Sequence, residues 1–233
     1  DYTMKANTVA VVTNGTAVLG LGNIGPEASL PVMEGKSVLF KNFANIDSFP
    51  ICLDTEDPKE IINIVRKIAP AFGGINLEDI SAPECFEIEK NLQDIGIPVF
   101  HDDQHGTAIV ILAALINASK VAEKSLEDMK IVISGAGAAG TAVAKLLLCI
   151  GIDKSICTSV KEIIVCDSKG IISKNRTDLD ENKKELAEHT NTNDTDGTLE
   201  DAIKEADVFI GVSKGNLLTK DMIKTMNEKS IVF

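Results

Sequence analysis

Two adjacent pairs of acids, Glu78-Asp79 and Asp102-Asp103, each follow a short apolar run, Gly74 to Leu77 and Ile97 to Phe100. Carboxylates crowded into one cleft repel each other, so without a cation some would have to take up protons. A hard divalent ion with oxygen ligands, Mg²⁺ or Mn²⁺, resolves that conflict. Solvated loop acids in an acidic protein would leave the same two dipeptides, so on these residues alone both readings stand. His101 and His105 flank the second pair at a spacing used by zinc sites on helices. No cysteine accompanies them and the carboxylates point to a harder metal, which leaves the histidines beside a site or in a loop. Lys36, in Met33-Glu-Gly-Lys36, stands before an apolar helical run. On its own a lysine there reads as a surface cation.

A second kind of chemistry is carried by glycines. Gly135, Ala136, Gly137, Ala138, Ala139 and Gly140 make a G-x-G-x-x-G turn after a β-branched run and before a helical pattern. In that context glycines permit a tight turn, a close approach of backbone to pyrophosphate, and packing of helix on sheet. The helix N-terminus supplies donors for phosphate oxygens. Asp167 ends the next strand and is placed to accept hydrogen bonds from an adenosine ribose, which favours NAD, while Lys169 nearby leaves NADP open. Its distance from the glycines exceeds the usual spacing, and an insertion over 151–161 accounts for the excess. Small residues that merely let helix and strand pack are the alternative reading.

These residues need a frame of strands and helices to position them. Asn14-Gly15 between Val9–Thr13 and Ala17–Leu21 predicts a β-hairpin. Strands are then predicted over 49–53, 74–77 and 97–100, and helices over 58–69, 82–95 and 106–122. The text turns polar at 123–129, where a domain junction is expected. A second alternation follows, with strands at 130–134, 162–167, 207–212 and from 230, and helices at 138–150, 198–206 and 219–227. Strand and helix in short periods predict parallel α/β sheets, whose strand carboxyl ends form the ligand crevice. The expected domains are therefore a catalytic α/β unit, 1–122, and a Rossmann-type doubly wound NAD-binding unit, 123–233.

The composition is that of an ordinary globular chain: 233 residues, 44% hydrophobic and 25% charged. A net charge of −12, with Arg66 and Arg176 the only arginines, argues against a nucleic acid or an anionic membrane as partner. The uncharged stretch at 104–119 is shorter than the roughly 20 residues of a membrane helix, so no span is expected. Five cysteines without a C-x-x-C read as reduced, buried thiols, which favours the cytoplasm. The opening at Asp1 and the strand that begins near Lys229 and stops at Phe233 suggest a fragment.

Taken together, Asn14 to Pro26, Pro31-Val-Met-Glu-Gly-Lys36, Leu77-Glu-Asp79, His101-Asp-Asp-Gln-His-Gly-Thr107 and Gly135 to Gly140 resemble malic enzyme of the small bacterial type, in order along the whole chain. The resemblance implies that Lys36 is the general base, that Glu78, Asp79 and Asp103 ligate Mg²⁺ or Mn²⁺, and that residues 135 to 140 bind NAD or NADP. It implies oxidative decarboxylation of L-malate to pyruvate and CO₂, and a homodimer is expected. Asp102 would hold hydrogen bonds at the site. Two departures stand out. Thr16-Ala17 replace an arginine that larger relatives use for a substrate carboxylate, and the family's acid tyrosine and an asparagine motif are expected outside residues 1 to 233, so this stretch alone is expected to be inactive. Tyr2 does not match the tyrosine. The alternatives are a two-domain dehydrogenase of amino-acid type, which would not need the clustered acids, and a non-catalytic nucleotide-binding relative.

Overall fold

A computed structural model describes residues 2–153 and 155–233. Asp1 and Lys154, the latter within the expected insertion, lie outside the described residues. The chain divides into two compact units, 1–103 and 104–233. The division falls in the first turn of a helix that opens at Asp102, well before the polar stretch at 123–129 where the sequence suggests a junction.

The first unit carries four strands, β1 (Thr8–Thr13), β2 (Asp47–Cys52), β3 (Gly74–Leu77) and β4 (Val99–His101), in the order β2-β1-β3-β4 and all parallel. Parallel neighbours need crossovers, and α1 (Gly25–Ala44), α2 (Pro58–Ile68) and α3 (Glu84–Lys90) supply them. Helix α2 starts where the sequence signals it, with Asp57 capping the Lys59 N–H and Pro58 in the first turn. Helix α3 is shorter than the predicted 82–95. The core is built from Ala10, Val11, Val12, Met33, Ile61, Val65, Ile75 and Leu77.

Asn14-Gly15 does not make the predicted hairpin. Strand β1 is paired on both sides, to β2 and β3, so it has no free edge for a partner from residues 17–21. The Asn14 side chain instead turns the loop, its Oδ1 accepting from the Thr16 hydroxyl at 2.7 Å. Gly15 sits at φ +70°, where a Cβ would run into the Gly25 carbonyl. The loop then enters α1, and Lys36 lies within that helix rather than ahead of it.

The second unit holds a five-stranded sheet of β5 (Lys130–Ser134), β6 (Glu162–Asp167), β7 (Gly170–Ile171), β8 (Val208–Gly211) and β9 (Ile231–Val232), in the order β7-β6-β5-β8-β9. All neighbours are parallel except β7 against β6. Its helices are α4 (Asp102–Ala122), α5 (Ala138–Leu147), α6 (Glu181–His189), α7 (Leu199–Ala202) and α8 (Lys220–Lys224). Ile131 and Ile133 of β5 join one core cluster and Val132 joins another, so both faces of the sheet are covered, as a doubly wound fold requires. The sequence-based fold class is borne out: parallel α/β, with a Rossmann-type second unit.

Two further expectations are corrected. Helix α4 runs over 21 residues rather than beginning at 106, and by length and composition it is apolar enough to cross a membrane. In this unit it lays Ala108, Ile111, Leu115 and Ala122 into the larger core cluster. The cysteines are not all thiols. Cys149 and Cys157 form a disulfide, because the chain leaving α5 folds back to bring their Cα atoms to 5.9 Å, while Cys52, Cys85 and Cys166 are free.

Candidate active site

The carboxyl ends of the parallel strands in the first unit gather its chemistry. Glu78 continues the ladder one residue beyond β3, its N–H donating to the Val12 carbonyl at 2.9 Å. Asp79 then takes a left-handed backbone, φ +53°, which breaks the alternation that sends neighbouring side chains to opposite faces. Asp102 and Asp103 open α4 directly after β4, where the helix N-terminus favours negative charge. Asp103 Oδ2 accepts the Asp79 N–H at 2.8 Å, tying the two acidic pairs together. One ligand oxygen each from Glu78, Asp79 and Asp103 lies within 4.8 Å of the others. Lys36 reaches this cluster from α1, with Nζ 2.6 Å from Asp102 Oδ2 and 3.1 Å from Glu78 Oε2.

The electrostatics are those of crowded, buried acids. Burial pushes the Glu78 carboxyl up to about 7, against the pull of Lys36. Asp79 is pushed up to about 6 by burial and by the Asp103 charge, and Asp103 is raised by burial. For Lys36, burial acts downward, but the hydrogen bond to Asp102 and the charges of Glu78 and Asp102 outweigh it and raise its pKa. That is the opposite direction from the lowering a free base needs. Buried carboxylates that hold protons toward neutral pH, with oxygens converging on one point, are a donor set suited to a hard dication. Among the described residues neither histidine belongs to this group. His101 is fully buried with Nδ1 3.9 Å from Asp103 Oδ2, and His105 is exposed on α4.

The second unit presents a separate cradle at the end of β5, where the chain moves to β6 on one side and β8 on the other, the switch point at which such sheets bind ligands. Gly135 has φ +128° and a Cβ there would lie 2.8 Å from the Val212 carbonyl, while a Cβ on Gly140 would strike the Gly135 carbonyl. Gly137 caps α5 and has nothing within 4 Å of a Cβ position, leaving its backbone open to a ligand. Each glycine thus fits one of the three roles that a dinucleotide turn assigns. Asp167 does end β6, yet its carboxylate already receives four donors: Arg176 Nη1 at 2.8 Å and Nη2 at 3.1 Å, Lys183 Nζ at 3.0 Å and the Lys169 N–H at 2.9 Å. These donors, from two cationic side chains and one backbone N–H, hold it at about 2 despite partial burial. Sequence reasoning missed Arg176 and Lys183. One signal was available, since Arg176 is one of only two arginines.

Two family models cover this architecture: the malic enzyme N-terminal domain matches residues 1–93 and the malic enzyme NAD binding domain matches residues 104–232. The chain belongs to the malic enzyme family. It is 56% identical over 235 residues to a bifunctional malic/malolactic enzyme of Bacillus subtilis, covering all of this chain and 55% of the relative. It is 57% identical over 234 residues to an NAD-dependent malic enzyme of Geobacillus stearothermophilus, covering all of this chain and 47% of that protein. The crystal structure of an NAD-dependent malic enzyme from Thermotoga maritima superposes with a TM-score of 0.93 at 51% identity, over 99% of this chain and 60% of that one. The chain thus spans about half the length of the malic enzymes it matches. Relatives named NADP-dependent are matched as well.

Proposed function

We propose that the protein containing this chain oxidatively decarboxylates L-malate to pyruvate and CO₂ with reduction of NAD or NADP, and that it requires Mg²⁺ or Mn²⁺. The observation that carries this reading is Lys36 Nζ held 3.1 Å from Glu78, one of three carboxylates whose oxygens lie within 4.8 Å of one another. Glu78, Asp79 and Asp103 would hold the cation, which when bound supplies Lewis acidity toward a hydroxyl, ketone or carboxylate oxygen. The turn from Gly135 to Gly140 would hold the dinucleotide, whose nicotinamide supplies the hydride acceptor.

The chain's own residues account for the proton. Lys36 Nζ takes the proton of the substrate's C2 hydroxyl, and Asp102, 2.6 Å away, orients the amine and stabilises the ammonium that results. Positive charge bound among the three carboxylates would offset the pull of Glu78 on Lys36, moving the lysine toward the neutral form that a base needs. Thr16 donates no charge to a substrate carboxylate; its hydroxyl oxygen instead accepts the Ser81 N–H at 2.9 Å and steadies the loop beside Asp79.

Cofactor choice belongs to the same proposal. Asp167 disfavours a 2′-phosphate less than a lone carboxylate would, because Arg176 and Lys183 neutralise it. A homodimer in the cytoplasm completes the reading. The exposed Val38, Leu39 and Phe43 of α1 offer apolar surface to a second copy, and the three free thiols suit a reducing compartment, whereas the Cys149–Cys157 pair does not add to that argument. The reading is tested by incubating the whole protein with malate and NAD or NADP, with Mn²⁺ and after chelation. Pyruvate should form in equal amount to reduced cofactor and only with the metal. Cofactor reduction without pyruvate would count against it.

A further inference from the structure

We infer that Asn76 is a positioning residue for Glu78, holding one oxygen of its carboxylate so that the other is left for a divalent cation. The inference rests on the metal reading above and deepens it. Asn76 is the one polar side chain in the strand Gly74-Ile-Asn-Leu77, and it is 4% exposed. Strand β3 is internal, with Asn76 in register with Val11 of β1 and Phe100 of β4, so its backbone groups serve the ladder and only the side chain is left to explain. An amide buried at such a place costs stability unless it is hydrogen-bonded, and an apolar residue would serve the core better.

The partner it finds is two residues along, on the same face of the sheet, as strand alternation requires. Asn76 Nδ2 donates to Glu78 Oε2 at 2.7 Å, and Lys36 Nζ lies 3.1 Å from that same oxygen. Both donors converge on Oε2, which leaves Oε1 to meet a cation alongside Asp79 and Asp103. Fixing the far oxygen of a ligating carboxylate sets its orientation before the metal arrives, and loss of such a partner typically weakens metal binding by about 10- to 100-fold.

The test is a titration of the whole protein with Mn²⁺, followed by electron paramagnetic resonance of the free ion. Asn76→Leu, similar in volume and without a donor, should weaken Mn²⁺ binding by about 10-fold or more. NAD affinity, which belongs to the second unit, should be unchanged, and Asn76→Gln, which keeps the amide donor, should recover part of the loss. If Asn76→Leu does not yield folded protein, Asn76→Ser, smaller and too short to reach Glu78, should show the same weakening. Mn²⁺ affinity within about twofold of wild type in the folded donor-less variant, alongside its loss in Glu78→Gln, would overturn the role of Asn76 and leave the metal site standing. Wild-type affinity in Glu78→Gln would instead bring down the metal reading and this inference together.

Discussion

At the scale of single residues, the carboxylate cluster divides into groups with distinct expected losses. Asp103 contributes an oxygen to the cluster and also accepts the Asp79 N–H. Asp103→Asn should therefore weaken Mn²⁺ or Mg²⁺ binding clearly, by calorimetry, while the dinucleotide is still bound. Unchanged metal affinity would show that Asp103 does not ligate the cation. Asp167 has a different position, with its four donors drawn from Lys169, Arg176 and Lys183. Asp167→Ala removes the carboxylate that Arg176 and Lys183 share, leaving Asp178 to Arg176 and the more distant Asp180 to Lys183, so it should lower stability by about 1–3 kcal/mol in denaturant melts. It should also shift the NAD-to-NADP affinity ratio toward NADP, and an unmoved ratio would show that Asp167 does not read the ribose. The acids were legible in the sequence because pairs at the ends of apolar runs stand out. Asn76 was not, since one amide in a strand names no partner until Glu78 and Lys36 are seen on the same oxygen. Nor could the sequence show that Lys36 is pulled up by Asp102, a residue distant in the chain.

Elements follow the sequence where hydrophobic period and caps agree, and depart from it where neighbours decide. The strands at 74–77, 130–134 and 162–167 fall where the apolar runs place them. Asn14-Gly15 carries a strong hairpin signal, yet β1 is central in its sheet and the asparagine turns a loop instead. Helix α1 contains Pro31 and a glycine at 35, which read as breakers, and α6 is a polar helix capped by Asp180 with little apolar period to announce it. The dinucleotide turn gives an element-level prediction. Gly140→Ala should force α5 away from the Gly135 carbonyl and cost about 1–3 kcal/mol in urea unfolding. Gly137→Ala meets nothing within 4 Å, so it should barely change stability while weakening NAD binding. Equal effects of the two substitutions on both measurements would contradict the separate roles given to these glycines.

For the molecule as a whole, the raised acids make stability depend on pH in a defined sense. Glu78 and Asp79 hold protons to about 7 and about 6 in the folded chain, above their ordinary values of 4.5 and 3.8. Between those limits the folded state binds more protons than the unfolded state, so stability falls as pH rises. The thermal midpoint should therefore drop from about pH 5 to about pH 8, and Mn²⁺ should raise it more at the higher pH. A midpoint that rises over that range without metal would mean that burial of these carboxyls does not govern it. In the proposed reading each unit carries one part of the chemistry, and the proton transfer assigned to Lys36 is the step that joins the cluster to catalysis. The decisive measurement is Lys36→Ala in the whole protein, assayed for malate oxidation, for decarboxylation of added oxaloacetate, and for Mn²⁺ and NAD binding. Loss of a positioned base should cut malate oxidation by about 10²- to 10⁴-fold, with both ligands still bound and oxaloacetate decarboxylation reduced less. Near-normal malate oxidation by Lys36→Ala would contradict the role of this lysine and the reading of the site built around it.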